Sequence, residues 1–301
     1  MAFLDRLVPQ DTPVEAIRDP VLERAGVQLS VLRLDRIHAQ ISGNKWFKLI
    51  RNMDSARAQD HDTLLSFGGP WSNHLHALAC AGQICGLRTI GIVRGELPSP
   101  LNACLSDARA AGMTLVGMSR ADYARKSEPD IIASLHARFG RFYLIPEGGA
   151  NREGLLGCAD IPERYDQDSF DLVCMACGTG TMLAGMALTS RLPLVGVQVL
   201  KGAGYLVREV DDYFSRYGLA PQVPWRILED WHHGGYARVT NELLRFLTEF
   251  EADHGIPLEP VYSGKLLYAI YEAAKKRDIF PHNSRILAVH GGGLQGLRGF
   301  V

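Results

Sequence analysis

The chain has 301 residues, 47% hydrophobic and 22% charged, which is enough for a well-buried core and for one large or two modest domains. Lysine plus arginine (32) nearly balances aspartate plus glutamate (33), so no strong field favours nucleic acid or a membrane surface, and a small-molecule partner is expected. The opening segment has no basic stretch leading into an apolar run, and no apolar stretch nears the ~18 residues that span a bilayer.

Short β-branched runs alternate with longer helical stretches along the chain. Strands are predicted over residues 63–67, 89–94, 114–117, 142–145, 172–176, 194–199 and 285–290. Several are apolar throughout, as in strands covered on both faces of a parallel sheet. Helices are predicted over 72–85, 100–111, 131–139, 181–190, 239–251 and 265–276. Strand then helix, repeated, is the signature of an α/β fold with right-handed crossovers. The six cysteines (Cys80, Cys85, Cys104, Cys158, Cys174, Cys177) sit mostly in apolar or helical contexts. In a chain this long they read as buried reduced thiols of a cytoplasmic protein.

Four positions carry candidate chemistry. Ser42-Gly43-Asn44-Lys45 sets a lysine at the start of a helix, with the preceding residues as cap. The positive end of the helix dipole and partial burial both favour a neutral, nucleophilic amine there. Gly68-Gly69-Pro70-Trp71-Ser72-Asn73-His74 follows a strand and opens a helix whose first amides suit a carboxylate. Ser72 or Asn73 can equally be a plain N-cap. Gly178-Thr179-Gly180-Thr181 follows another apolar strand; its glycines allow close approach of a phosphate and its threonines add donors. It is not a P-loop, because Gly180 and Gly185 are followed by Met186-Ala187 rather than Lys-Ser/Thr, and it is a poor dinucleotide fingerprint, because the third glycine falls at Gly185 where the pattern wants position 183. Finally, the strand over 285–290 runs into Gly291-Gly292-Gly293. Ligands of open α/β sheets bind outside the carboxyl ends of strands, so these turns are expected to converge on one crevice. Buried packing is expected for Trp46, Phe47 and Trp71, a structural role for His76, and an exposed loop pair for His232 and His233. No spacing suggests a metal site.

On these residues, together with Lys48-Leu49 and Pro260-Val261-Tyr262-Ser263-Gly264-Lys265, the chain resembles the 1-aminocyclopropane-1-carboxylate (ACC) deaminase / D-cysteine desulfhydrase family. That family lies within the tryptophan-synthase-β-like, fold type II enzymes that use pyridoxal 5′-phosphate (PLP). The resemblance implies a two-domain α/β enzyme of open twisted parallel sheets with flanking helices. Its large cofactor domain would comprise residues 1–47 and 158–301, its small domain residues 48–157, and it would form a homodimer. Lys45 would be the Schiff-base lysine and proton shuttle. Ser72 would be the nucleophile or proton-relay serine, with Asn73 and His74 beside the substrate and Asn73 near the cofactor ring. Gly178, Thr179, Gly180 and Thr181 would cradle the phosphate, and Tyr262 and Tyr236 would face the substrate.

The chain departs from the family at Phe47, where arginine is common, at Leu34 within Arg33-Leu34-Asp35, and at Gly291. Ser263 stands where ACC deaminases place a glutamate that reaches the pyridine nitrogen. A carboxylate there keeps the ring a strong electron sink, and a serine hydroxyl does not. Expelling a good β-leaving group needs that sink less than opening a cyclopropane does. The expected reaction is therefore α,β-elimination from D-cysteine or a related amino acid to a keto acid and ammonia, with ACC deamination as the alternative. A PLP-binding homologue without turnover and a nucleotide-binding oxidoreductase are the readings from other classes.

Overall fold

The computed structural model describes residues 6–235, 237–276 and 279–300. From the amino end the elements are β1 (Val14–Ile17), α1 (Pro20–Ala25), β2 (Val27–Leu32) and α2 (Asn44–Ala58). A second group follows: β3 (Thr63–Gly68), α3 (Asn73–Cys85), β4 (Arg88–Arg94), α4 (Ala103–Ala110), β5 (Thr114–Met118), α5 (Arg120–Ala124), α6 (Pro129–Phe139) and β6 (Tyr143–Ile145). The chain then passes through α7 (Arg152–Cys158), β7 (Leu172–Cys177), α8 (Thr181–Met186), β8 (Leu194–Gln198), α9 (Tyr205–Tyr217) and β9 (Trp225–Leu228). It ends with α10 (Asn241–His254), α11 (Ser263–Lys276) and β10 (Ser284–Val289).

Two open sheets result. One has the order β1-β2-β10-β7-β8-β9 and the other β5-β4-β3-β6. All neighbours are parallel except β1, which pairs antiparallel with β2 at the edge. Each predicted strand is present, shifted by at most one residue at either end. The strands β1, β2 and β9 were not anticipated. β2 interrupts its apolar residues with Gln28 and Ser30, and β9 is a four-residue edge strand that is only partly buried. The helix expected over 181–190 stops at Met186, and the one expected over 100–111 starts at Ala103, where the Asn102 side chain accepts from Leu105 N–H.

The strands are apolar throughout because both faces are covered. On β10, Leu287 and Val289 pack with α2, α7 and α8, while Ile286 and Ala288 pack with α10 and α11. Leu64 and Val93 of the smaller sheet belong to the same core as Leu287 and Val289, so one apolar layer joins the inner faces of both sheets. Leu65, Phe67, Ile90 and Ile92 form a separate outer cluster with α6.

Within the shared layer, α7 lies backbone to backbone between α2 and α8. A Cβ on Gly157 would come within 1.9 Å of Phe47 O, and one on Gly185 within 2.3 Å of Leu155 O. Replacing Gly157 with alanine must push α2 from α7, and overpacking of this kind costs about 1–3 kcal/mol. Gly157→Ala is expected to lower the thermal and urea midpoints accordingly. Midpoints equal to those of the parent would disprove the close approach.

Candidate active site

The expected turns at Gly69, Gly178 to Gly180 and Gly291 to Gly293 do converge, and a further one at Gly148, which the sequence did not point to, joins them. Gly69, Gly148, Gly178 with Gly180, and Gly291 to Gly293 follow β3, β6, β7 and β10, and all of them line one cavity of about 680 Å³. Lys45, Ser72, Asn73, His74, Thr179 and Tyr262 line it too. A cleft of about 390 Å³ at the opposite ends of β7, β8 and β9 is walled mainly by Leu172, Pro193, Pro224 and Trp225. Its charged groups are engaged, Asp171 with Arg285 and Arg226 with Ile279 O.

Lys45 is the second residue of α2 and is partly exposed to the cavity. Burial, and then the neighbouring Lys48 cation, lower its amine to about 7. The expected side-chain cap is absent. The N-cap is Gly43 at φ 67°, and Ser42 Oγ instead donates to Asp35 O at 3.2 Å. Glycine is required here on two grounds: a side chain at this φ is strained, and its Cβ would lie 1.8 Å from Gly291 O. Asn44 N–H donates to that same oxygen at 3.2 Å.

The sequence offers Lys48, one turn along α2, only as part of the motif that carries the resemblance and gives it no role. It is fully buried, lines the cavity and donates through Nζ to Gly148 O at 3.1 Å. Its position three residues after Lys45, on the same helix face, was the available signal.

Ser72 is the N-cap of α3; its Oγ accepts from Leu75 N–H at 3.2 Å, which leaves its proton to donate. Asn73 Oδ1 accepts from Gln295 Nε2 at 2.9 Å, tying α3 to the C-terminal segment. His74 is buried, with Nε2 3.0 Å from Ser66 Oγ, while Nδ1 has no hydrogen-bond partner among the described residues. Burial and the two lysines hold its imidazole well below the usual range, hence neutral.

The 178–181 loop is fixed by two tyrosines of α9 that also line the cavity. Tyr205 Oη donates to Gly178 O at 2.9 Å, and Tyr213 Oη donates to Thr179 O at 3.0 Å. Thr181 is fully buried and off the cavity wall, with its hydroxyl 2.9 Å from Thr179 Oγ1. Tyr262 packs its ring where a Cβ on Gly178 would lie, 3.3 Å from Cε1.

Ser263 is likewise buried and does not reach the cavity wall. Its hydroxyl accepts from Glu259 N–H at 3.0 Å and lies 3.2 Å from Glu259 Oε1. Glu259, also unanticipated, caps α11 from inside: its carboxylate accepts from the N–H groups of Val261, Tyr262 and Ser263 at 2.6–2.8 Å. Tyr236 lies outside the described residues. Trp46 and Phe47 are buried as expected, whereas Trp71 lines the cavity. His76 is 3.3 Å from Asp107. All six cysteines are free and buried, and burial raises every one of their thiols.

Residues 8–292 match the family model of the pyridoxal-phosphate dependent enzymes. The bifunctional mitochondrial D-cysteine desulfhydrase/1-aminocyclopropane-1-carboxylate deaminase of Arabidopsis thaliana is 31% identical, over 95% of this chain and 77% of its own length. The D-cysteine desulfhydrase of Serratia proteamaculans is 27% identical, over 97% of this chain and 94% of its own. Among solved structures, an ACC deaminase homologue superposes with a TM-score of 0.82 at 25% identity, covering 98% of this chain and 94% of its own. A tomato (Solanum lycopersicum) threonine deaminase, at 18% identity and a TM-score of 0.66 over 97% of this chain and 81% of its own, shares the fold.

An amine lowered to about 7 reacts with aldehydes as a free base near neutrality. Borohydride trapping of a small aldehyde on Lys45, followed by peptide mass spectrometry across pH in cofactor-free protein, is expected to show a midpoint near 7. Lys48→Met removes a like charge, so the Lys45 amine rises and the midpoint moves to higher pH. A midpoint near that of an exposed lysine, or one that Lys48→Met does not move, would refute this electrostatic account.

Proposed function

The chain belongs to the pyridoxal-phosphate-dependent enzyme family, in the branch of the ACC deaminases and D-cysteine desulfhydrases, and on that premise we propose that it eliminates the β-substituent of D-cysteine or a related amino acid. The products are a keto acid, ammonia and, from D-cysteine, sulfide. Its cofactor is pyridoxal 5′-phosphate. The residues present fit that group. An amine of lowered pKa, a glycine–threonine loop and a buried imidazole nitrogen without a partner all border one cavity. Bound there, the cofactor supplies an electron sink for charge developing at the substrate's α-carbon.

In this reading Lys45 Nζ holds the cofactor at rest and serves as the base for the α-proton, because an amine titrating near 7 is half unprotonated at neutral pH. Gly178, Thr179 and Gly180 would hold the phosphate, with the carbonyls of Gly178 and Thr179 engaged by Tyr205 and Tyr213. The first amides of α3 and the Ser72 O–H bind the substrate carboxylate, and His74 Nδ1 accepts a hydrogen bond from the bound ligand. Tyr262 Oη is the acid that protonates the departing sulfur. Residues 1–47 with 158–301 form the large domain and residues 48–157 the small one. The separation of the two sheets along the chain supports this division. The enzyme works as a cytoplasmic homodimer; six free cysteines fit a reducing compartment.

The observation that carries elimination over ring opening is the surroundings of Ser263. It stands in place of a glutamate, and the nearby carboxylate of Glu259 is already bonded to three backbone N–H groups. The test is the visible spectrum of the purified protein and of Lys45→Ala, each before and after D-cysteine, with sulfide and pyruvate assayed. A cofactor band absent from the variant, and altered in the parent as products appear, is expected. A Lys45-dependent band with turnover of ACC alone would replace the substrate. The same band without turnover of any amino acid would leave a binding protein rather than an enzyme.

A further inference from the structure

Three residues beyond Tyr262, in the first turn of α11, Lys265 is completely buried. Its ammonium donates to three backbone oxygens: Gly235 O at 2.7 Å, His232 O at 2.8 Å and Val199 O at 3.3 Å. Three donors meeting three carbonyls is the full complement of a lysine ammonium. No carboxylate is bonded to it among the described residues. An unpaired buried charge is costly, so such a lysine persists only where the carbonyl dipoles compensate it. Burial lowers the Lys265 amine to about 8, which leaves it mostly charged at neutral pH; Glu259 favours the cation, and His233 opposes it when protonated.

The three oxygens come from two separate loops. Val199 follows β8 and precedes Leu200, which lines the cavity. His232 and Gly235 belong to the loop after β9, and Lys265 itself begins the helix that carries Tyr262 at its amino end. The loops also stack directly, since a Cβ on Gly235 would lie 3.2 Å from Lys201 Cβ. Gln198 gathers the first loop from the other side, donating to Leu200 O and Gly202 O at 2.8 Å.

We propose that Lys265 is a tethered cation at the centre of a carbonyl cage, a positioning residue that fixes Leu200 and the 232–235 loop relative to Tyr262. The charge is what the cage requires, so a small free cation can take its place. Removing the side chain creates a site for ammonium or potassium, ions that backbone carbonyls coordinate in the same way.

The catalytic readout of the test rests on the elimination reading above; the binding readout does not. Lys265→Ala empties the cage, and Lys265→Met fills the same space without charge. Loss of positioning is expected to cut kcat/KM for D-cysteine about 100-fold in both variants. Ammonium or potassium chloride, against tetramethylammonium chloride at equal ionic strength, is expected to restore Lys265→Ala at least about 10-fold and to raise its melting temperature by mass action. Lys265→Met is expected to respond to neither salt. Wild-type kcat/KM in folded Lys265→Met would overturn the proposal, as would loss in Lys265→Ala that no cation relieves. If Lys265→Ala folds only with ammonium or potassium present, the cage is supported; if it folds in no salt, Lys265→Met decides on kcat/KM. A cation-selective rise in melting temperature, in a protein that turns over no D-cysteine, would keep the cage and sink the substrate assignment instead.

Discussion

Asn44 N–H donating to Gly291 O, with no room for a side chain at Gly43, is the contact from which the cavity's geometry follows. It pins the start of α2 to the turn after β10, so Lys45 is positioned by backbone from both ends of the chain. From there α2 is held to α7, and α7 to α8, by further close backbone approaches at Gly157 and Gly185. The same stack therefore sets Lys45 on one side and the 178–181 loop on the other. Backbone contacts of this kind have little compliance, because relief requires a helix to move rather than a rotamer to turn.

Near the cavity the buried charges follow one pattern, whereas Arg33, earlier in the chain, is paired with Asp35 and Glu15. Lys48 and Lys265 give their protons to carbonyl oxygens, and Glu259 takes its bonds from backbone N–H groups. At these three residues side-chain charge is matched to the chain's own dipoles. Among the described residues no carboxylate is bonded to Lys45 or Lys48, whereas Lys126 at the cavity wall is paired with Glu147. Burial lowers the Lys45 amine and raises the acid of Glu259, the two directions expected when charged forms lose water.

Much of this was legible in the residues. Apolar runs at 63–67, 172–176 and 285–290 could only be strands covered on both sides, and each glycine turn announced where a strand ended. Convergence of the turns follows from the rule that ligands gather at strand carboxyl ends. What escaped notice had no local signature. β2 mixes Gln28 and Ser30 into its pattern, yet it is central because β10 pairs with it from the far end of the chain. The helix start at Lys45 read as a side-chain cap, whereas the real requirement, a close backbone neighbour at Gly291, is invisible in one dimension. Glu259 carries no local mark of its role, since nothing in the neighbouring sequence shows three amides turning back on it. Ser263 was placed at the ligand by likeness to relatives, but its hydroxyl bonds to Glu259 instead.

The order of strands in the larger sheet bears on how the protein is made. β10, with β2 on one flank and β7 on the other, is the last strand to leave the ribosome. Until it emerges, β2 and β7 have no bond to each other and β2 holds only its antiparallel partner. The smaller sheet, contiguous in the chain, can close during synthesis, while the larger one must wait with its apolar faces open. A nascent chain arrested before residue 284 would therefore carry a finished half and a half that is exposed and prone to aggregate, the state in which a chaperone would meet it.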